Sequence, residues 1–162
     1  MSPSLTPSDT GNHRLRATRI LSSLMEQQGS LASLLVAEDE PLTRELCYGT
    51  CRRFHRLDAA LSALMDRPLK ARDRDVHALL LIGLYQLEYL RVKPHAAVNE
   101  TVSCTRALGK PWARGLVNGV LRQFQRRRES LWQELDRQPE AHWSHPAWMI
   151  EAIRAAWPSS WE

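Results

Sequence analysis

Asp75–Leu90, DVHALLLIGLYQLEYL, is the stretch on which the fold class turns. Val76, Leu79, Leu80, Gly83, Leu84, Leu87 and Leu90 recur at the helical spacing of three and four. Leu81, Ile82, Tyr85 and Tyr89 fill much of the remaining circumference. A helix that is apolar nearly all round is enclosed by other helices rather than laid on a surface. The run is also too short, and too charged at its flanks (Arg72, Asp73, Arg74, Arg91, Lys93), to span a bilayer, which takes about 20 apolar residues. It predicts the buried central helix of an all-α bundle, with no chemistry of its own.

Downstream, Lys93-Pro94 breaks this helix, and Pro94 suits the first turn of the next, PHAAVNETVSCTRAL, with Val98, Val102 and Thr105 inward. Gly109-Lys110-Pro111 repeats the stop-and-start signal. The helix after it has an apolar stripe of Ala113, Leu116, Val117, Val120, Leu121 and Phe124 and is expected to finish in RQFQRRR. Arg114, Asn118, Arg122 and Arg126 follow at i+4 steps, one drifting polar stripe. Upstream, a segment with Leu57, Leu61, Leu64 and Met65 on one face is stopped by Pro68. A helix opened by Asp39-Glu40-Pro41 precedes it and carries LTRELCYGTCRRF. Leu31–Val36 reads as a short helix, and a first helix begins near His13 with Ala17, Ile20, Leu21 and Leu24 as its stripe. Residues 1–12, MSPSLTPSDTGN, lack periodicity and read as a disordered lead. No segment sustains the alternation of a strand.

The charge is divided along the chain. Residues 1–128 hold 20 Lys+Arg against 12 Asp+Glu, whereas residues 129–162 hold 2 against 6. The basic part contains only three lysines, Lys70, Lys93 and Lys110. Arg-rich helical surfaces suit phosphates and stacked bases; a genome that prefers Arg gives the same composition. Arg14, Arg16 and Arg19 crowd the first turns of the first helix, where cations oppose the helix dipole. They serve either a partner or a solvated face. The last part holds five of the six Trp (Trp132, Trp143, Trp148, Trp157, Trp161), and HPAWMIEAIRAAW reads as one more helix. Large aromatics on an acidic appendage either fold back on the bundle or cover a neighbour.

Catalytic and metal signatures are lacking. Cys47 and Cys51 share a helix face, a spacing unlike the turn-borne C-x-x-C of zinc knuckles, so they read as free core thiols. The glycines are isolated and form no phosphate loop, so no metal, cofactor or catalytic residue is assigned. Three cysteines and no signal peptide place the chain in a reducing cytoplasm. Asn99 and Asn118 stand inside apolar helical patterns and are expected to bond another element's backbone end or another polar side chain, with Glu100 pairing to an Arg of a neighbouring helix.

Five ordered blocks carry a resemblance: Arg14/Ala17/Ile20/Leu21, ELCYGTCRR (45–53), LLLIGLYQLEYL (79–90), PHAAVNETV (94–102) and GLVNGVLR (115–122). Together they resemble the NusB-type RNA-binding domain, in the version at the front of the Sun/Fmu (RsmB-type) ribosomal RNA cytosine-C5 methyltransferases. HPAWMIEAIRAAWPSSW is similar to the segment that leads into the catalytic part of those enzymes. The resemblance implies a NusB-like bundle over 13–128 that binds 16S ribosomal RNA, and a Trp-rich helical extension over 129–162. It also implies an S-adenosylmethionine-dependent catalytic domain, absent from this chain, as both cofactor holder and partner. Cys47, Cys51 and Cys104 do not match that domain's catalytic cysteines, and the chain reads as a truncated form.

The RNA contacts expected on this reading are Arg14, Arg16, Arg19, Arg114, Arg122, Arg126, Arg127 and Arg128, with Arg52 and Arg53 as weaker candidates. Two other readings stand beside it. One is a free-standing NusB-like adaptor in transcription antitermination. The other is a packing domain that touches no RNA.

Overall fold

A computed structural model describes residues 12–161. Nine α-helices lie among them: α1 His13–Met25, α2 Leu31–Leu34, α3 Pro41–Arg52, α4 Phe54–Leu64, α5 Arg74–Tyr89, α6 Pro94–Ala107, α7 Ala113–Leu135, α8 Pro139–Trp143 and α9 Ala147–Ala156. A short 3₁₀ turn, Ala71–Asp73, leads into α5. No strand occurs among the described residues, so the chain is all-α.

The apolar circumference of α5 has a direct structural counterpart. Every residue from Ala78 to Gln86 is buried, and α5 packs against α1, α3, α4, α6 and α7. Those five helices contact one another in the circular order α1, α3, α4, α7, α6 and back to α1. The fold is thus a ring of five helices around a sixth. Gly83 permits the closest approach on α5, since a Cβ there would lie 2.7 Å from Leu121 and 3.3 Å from Thr101.

One buried residue inside α5 is polar. The Gln86 side-chain carbonyl accepts from Arg14 Nε (2.6 Å), and its amide donates to Thr101 Oγ1 (3.1 Å). A satisfied amide of this kind ties three helices together at little desolvation cost.

Two expected boundaries move. The first twelve residues were expected to be a disordered lead; residues 1–11 lie outside the described residues, but Asn12 is the N-cap of α1, its side chain accepting from Leu15 N–H (3.1 Å). The boundary expected at residue 128 falls inside α7, which runs on to Leu135. Leu131, Trp132 and Leu135 are buried in the main core. Trp132 Nε1 donates to Glu88 (2.9 Å), and the Arg56 guanidinium stacks 4.2 Å from its ring. The same Arg56 reaches Asp136 (2.5 Å) and the Ala141 carbonyl, which seats α8 against α4. Beyond α8 the packing thins, and α9 rests mainly on α8.

Candidate nucleic-acid interface

The ten arginines expected to face RNA separate into three groups. Arg14 and Arg16 are used inside the fold. Arg14 joins Gln86 and forms an ion pair with Glu100 of α6. Arg16 is buried; its Nε and Nη2 meet both oxygens of Asp39 (2.9 and 3.2 Å), and Nη2 also reaches the Leu34 carbonyl. These two carboxylates neutralise the cations that open α1, so the unfavourable helix dipole is met from within the protein. Arg14 and Arg16 are therefore corrected from candidate contacts to structural residues. Arg19 is half-buried.

Asp39 shows the strength of this arrangement. Burial alone raises a carboxyl pKa, but the Arg16 hydrogen bond, the Val36 N–H and the charge of Arg44 outweigh it and hold Asp39 below the usual carboxylate range. Outside this pair, Cys47 behaves as a core thiol: burial and the neighbouring Cys51 push it up to about 12. Cys51 is half-buried and Cys104 buried, all three thiols being free.

Arg52 and Arg53 form the second group. Both are exposed at the corner between α3 and α4, with Arg53 over the Tyr89 ring at 5.2 Å. That corner lies at the C-terminal end of α5. Arg128 is drawn toward the same end by its ion pair with Glu88 (2.8 Å).

The third group lies along α7. Arg114, Arg122 and Arg126 are exposed, whereas Arg127 is half-buried. At 100° per residue these three spiral from the α6 edge to the outer face of α7. Arg122 Nε donates to Asn118 Oδ1 (3.0 Å), which lays the guanidinium along the helix. Asn118 therefore bonds another polar side chain, one on its own helix, whereas Asn99 is exposed and makes neither kind of expected bond among the described residues. Glu100 does meet an Arg of a neighbouring helix, Arg14.

A groove of about 450 Å³ between α6 and α7 joins the third group to a residue the sequence reading did not single out. It is lined by Asn99, Val102, Ser103, Thr105, Arg106 and Arg114. Asn99, Ser103 and Arg106 stand at i, i+4 and i+7, one polar face of α6. That spacing was the available signal for Arg106. Two guanidiniums and the Asn99 amide lining one groove suit a phosphate backbone, through charge and through hydrogen bonds that do not depend on sequence.

No helix of the described residues is long and apolar enough to cross a membrane, and none of them form a group of three or more His, Cys, Asp and Glu that could hold a metal. The aromatic tail divides. Trp132 is in the core, and Trp161 packs edge-on against Trp143 and under Arg154. Trp148 and Trp157 remain 66% and 60% exposed on α9 and at its end.

Comparison with known proteins agrees with this fold. The chain is 46% identical to the ribosomal RNA small subunit methyltransferase B of Pseudomonas putida over 93% of its length, and 46% identical to that of Pseudomonas syringae pv. tomato. It is 40% identical to the protein of the same name in Shigella flexneri. It spans about a third of the length of these relatives, 36%, 35% and 37% respectively. Residues 11–126, which take in α1 to most of α7, match the NusB family. The chain belongs to the NusB family.

Proposed function

We propose that this chain is the RNA-binding domain of a ribosomal RNA small-subunit cytosine-C5 methyltransferase, holding the RNA for a catalytic domain that binds S-adenosylmethionine. The observation that carries the reading is the exposed arginine track of Arg106, Arg114, Arg122 and Arg126. None of these four is spent on a carboxylate among the described residues, in contrast to Arg14 and Arg16. The names of the relatives support the choice of ribosomal RNA over other polyanions.

The residues of this chain do not fit the cofactor itself. Such a ligand needs a glycine-rich turn at a strand end, where backbone approaches it closely. No strand occurs among the described residues, so none of their glycines stands at a strand end, and the space in front of Gly49 and Gly83 is filled by Tyr85 and Leu121. No catalytic step is assigned to these residues. Trp148 and Trp157 are exposed apolar side chains of the kind a neighbouring domain covers.

The test is salt-dependent binding to small-subunit ribosomal RNA fragments. Each phosphate contact contributes about −0.9 to the log–log slope on duplex and about −0.7 on single strands. Reversing Arg114, Arg122 and Arg126 to Glu together is expected to flatten the slope by about two to three and to weaken binding at low salt. Unchanged affinity at low salt would overturn the reading and favour a packing domain.

A further inference from the structure

The face of the bundle at the N-terminal end of α5 holds a feature the arginine track does not explain. Trp112, in the turn that opens α7, is 55% exposed. Its backbone is fixed by Pro111 before it and by the Ala113 N–H bonded to the Lys110 carbonyl (2.9 Å) behind it. The ring forms one wall of a cleft of about 380 Å³ whose other walls are Pro68, Leu69, Lys70, Arg72 and Asp73.

The charges of this cleft are arranged for an anion. Asp73 would repel one, but Lys110 Nζ donates to its carboxylate (2.7 Å) and lies 3.6 Å from Asp75. Lys110 thereby offsets one of the two acids at the start of α5, and Lys70 and Arg72 leave the cleft with a net positive balance. Arg72 is 77% exposed and only loosely placed by Asp73 at 3.8 Å, and Lys70 is exposed beside it. The cleft therefore presents a half-exposed indole flanked by two exposed cations. Arg114, which lines the α6–α7 groove, follows two residues after Trp112 on a different face of the same helix start.

We infer that Trp112 is a stacking platform for an unpaired base of single-stranded RNA, with Lys70 and Arg72 on the adjoining phosphates. Flat aromatic rings among cations are the recurring solution for single strands, since every base has a stacking face. A duplex hides those faces within its own stack and offers the site only phosphates. The inference rests on the RNA-binding reading and adds to it the form of RNA recognised, a single strand with an unpaired base.

The experiment uses the full 162-residue chain, with an unstructured oligoribonucleotide and an RNA duplex of equal length as probes. Trp112→Ala is expected to weaken single-strand binding about five- to hundredfold and to leave duplex binding and the salt slope unchanged, because stacking releases no counterions. Trp112→Phe should retain most of the affinity. Indole quenching on single-strand binding in the wild type should disappear in Trp112→Phe. Because the side chain is exposed, circular dichroism and melting should be unaltered in both variants.

Single-strand affinity unchanged in Trp112→Ala, while the Arg114/Arg122/Arg126 reversal still weakens binding, would overturn the platform and leave the RNA-binding reading intact. Equal losses on duplex and single strand would also overturn it, assigning Trp112 to scaffolding. A wild-type chain that binds neither probe would remove both.

Discussion

Arg16 and Asp39 meet where α1 passes the loop before α3, and both side chains are almost out of water. A buried pair of this kind contributes little relative to a well-packed apolar pair, yet leaving one charge alone costs about 3–5 kcal/mol. Asp39→Asn is therefore expected to destabilise the fold by about that amount near neutral pH, as read by urea unfolding. An exposed change such as Arg122→Ala should stay within about 0.5 kcal/mol. The sign of the pH dependence follows from the depressed carboxyl. A group held below its unfolded value of 3.8 contributes stability above that pH and loses it as pH falls through the folded value. The gap between wild type and Asp39→Asn should thus be flat from about pH 5 to 7, begin to close below about pH 4, where the unfolded carboxyl protonates, and vanish only below the lower folded value. A gap that persists unchanged into acid would show that Asp39 acts by packing, not by charge. The same residue explains why α1 carries Arg on its first turn: the cation is a fastener for the α2–α3 loop, and only its partner, 23 positions away, reveals that.

Between helices, the fit depends on where glycines stand. A Cβ on Gly49 of α3 would lie 2.1 Å from the Tyr85 ring and hydroxyl. Tyr85 has no room to retreat easily, since its hydroxyl donates to Glu45 (2.5 Å) and its ring lies 5.3 Å from that of Tyr89. Burial and the Glu45 carboxylate push its phenol up to about 12, so it stays a donor across the ordinary pH range. Gly115 on α7 has open space where its Cβ would go. The two sites separate helix propensity from packing. Gly115→Ala is expected to stabilise the chain by up to about 1 kcal/mol, the backbone entropy gain of Ala over Gly in a helix. Gly49→Ala makes the same gain but forces Tyr85 out of its seat, at a cost of about 1–3 kcal/mol, and the net effect should be destabilising. Thermal melts of the two variants moving in the same direction would disprove this account of the α3–α5 contact. The isolated glycines were visible in the sequence, but which of them met a neighbouring ring was not, because that depends on which helix lies opposite.

For the molecule as a whole, periodicity went furthest where burial was most complete. The nearly all-apolar circumference of Asp75–Leu90 already implied a helix ringed by others, and α5 has five neighbours. The arginine track was legible on α7, where i+4 spacing maps directly onto an exposed face, but not on α1, whose cations are consumed by distant carboxylates. The end of the bundle was misread for a related reason. Phe124, Leu131 and Leu135 continue the apolar stripe of α7, but the charged run Arg126–Glu129 interrupts it and resembles a helix end. This has a consequence for where the domain can be cut. Ending the chain after Arg128 removes Leu131, Trp132 and Leu135 from the core and leaves Glu88 without its indole donor and without the packing around Arg56. Each of those side chains is worth about 1.5–3 kcal/mol when fully buried, less the entropy of ordering the turn that carries it. Ending after His145 keeps α8, with Ala141 buried against α4, and discards α9 and the Trp161 ring on Trp143, which rest mainly on α8. The 1–145 chain should therefore melt within a few degrees of the full chain, while the 1–128 chain should melt more than about 10 °C lower or fail to unfold cooperatively. Equal melting temperatures for the two shortened chains would place the edge of the cooperative unit at Arg128 after all, and would make the packing of Trp132 on α4 and α5 incidental to the fold.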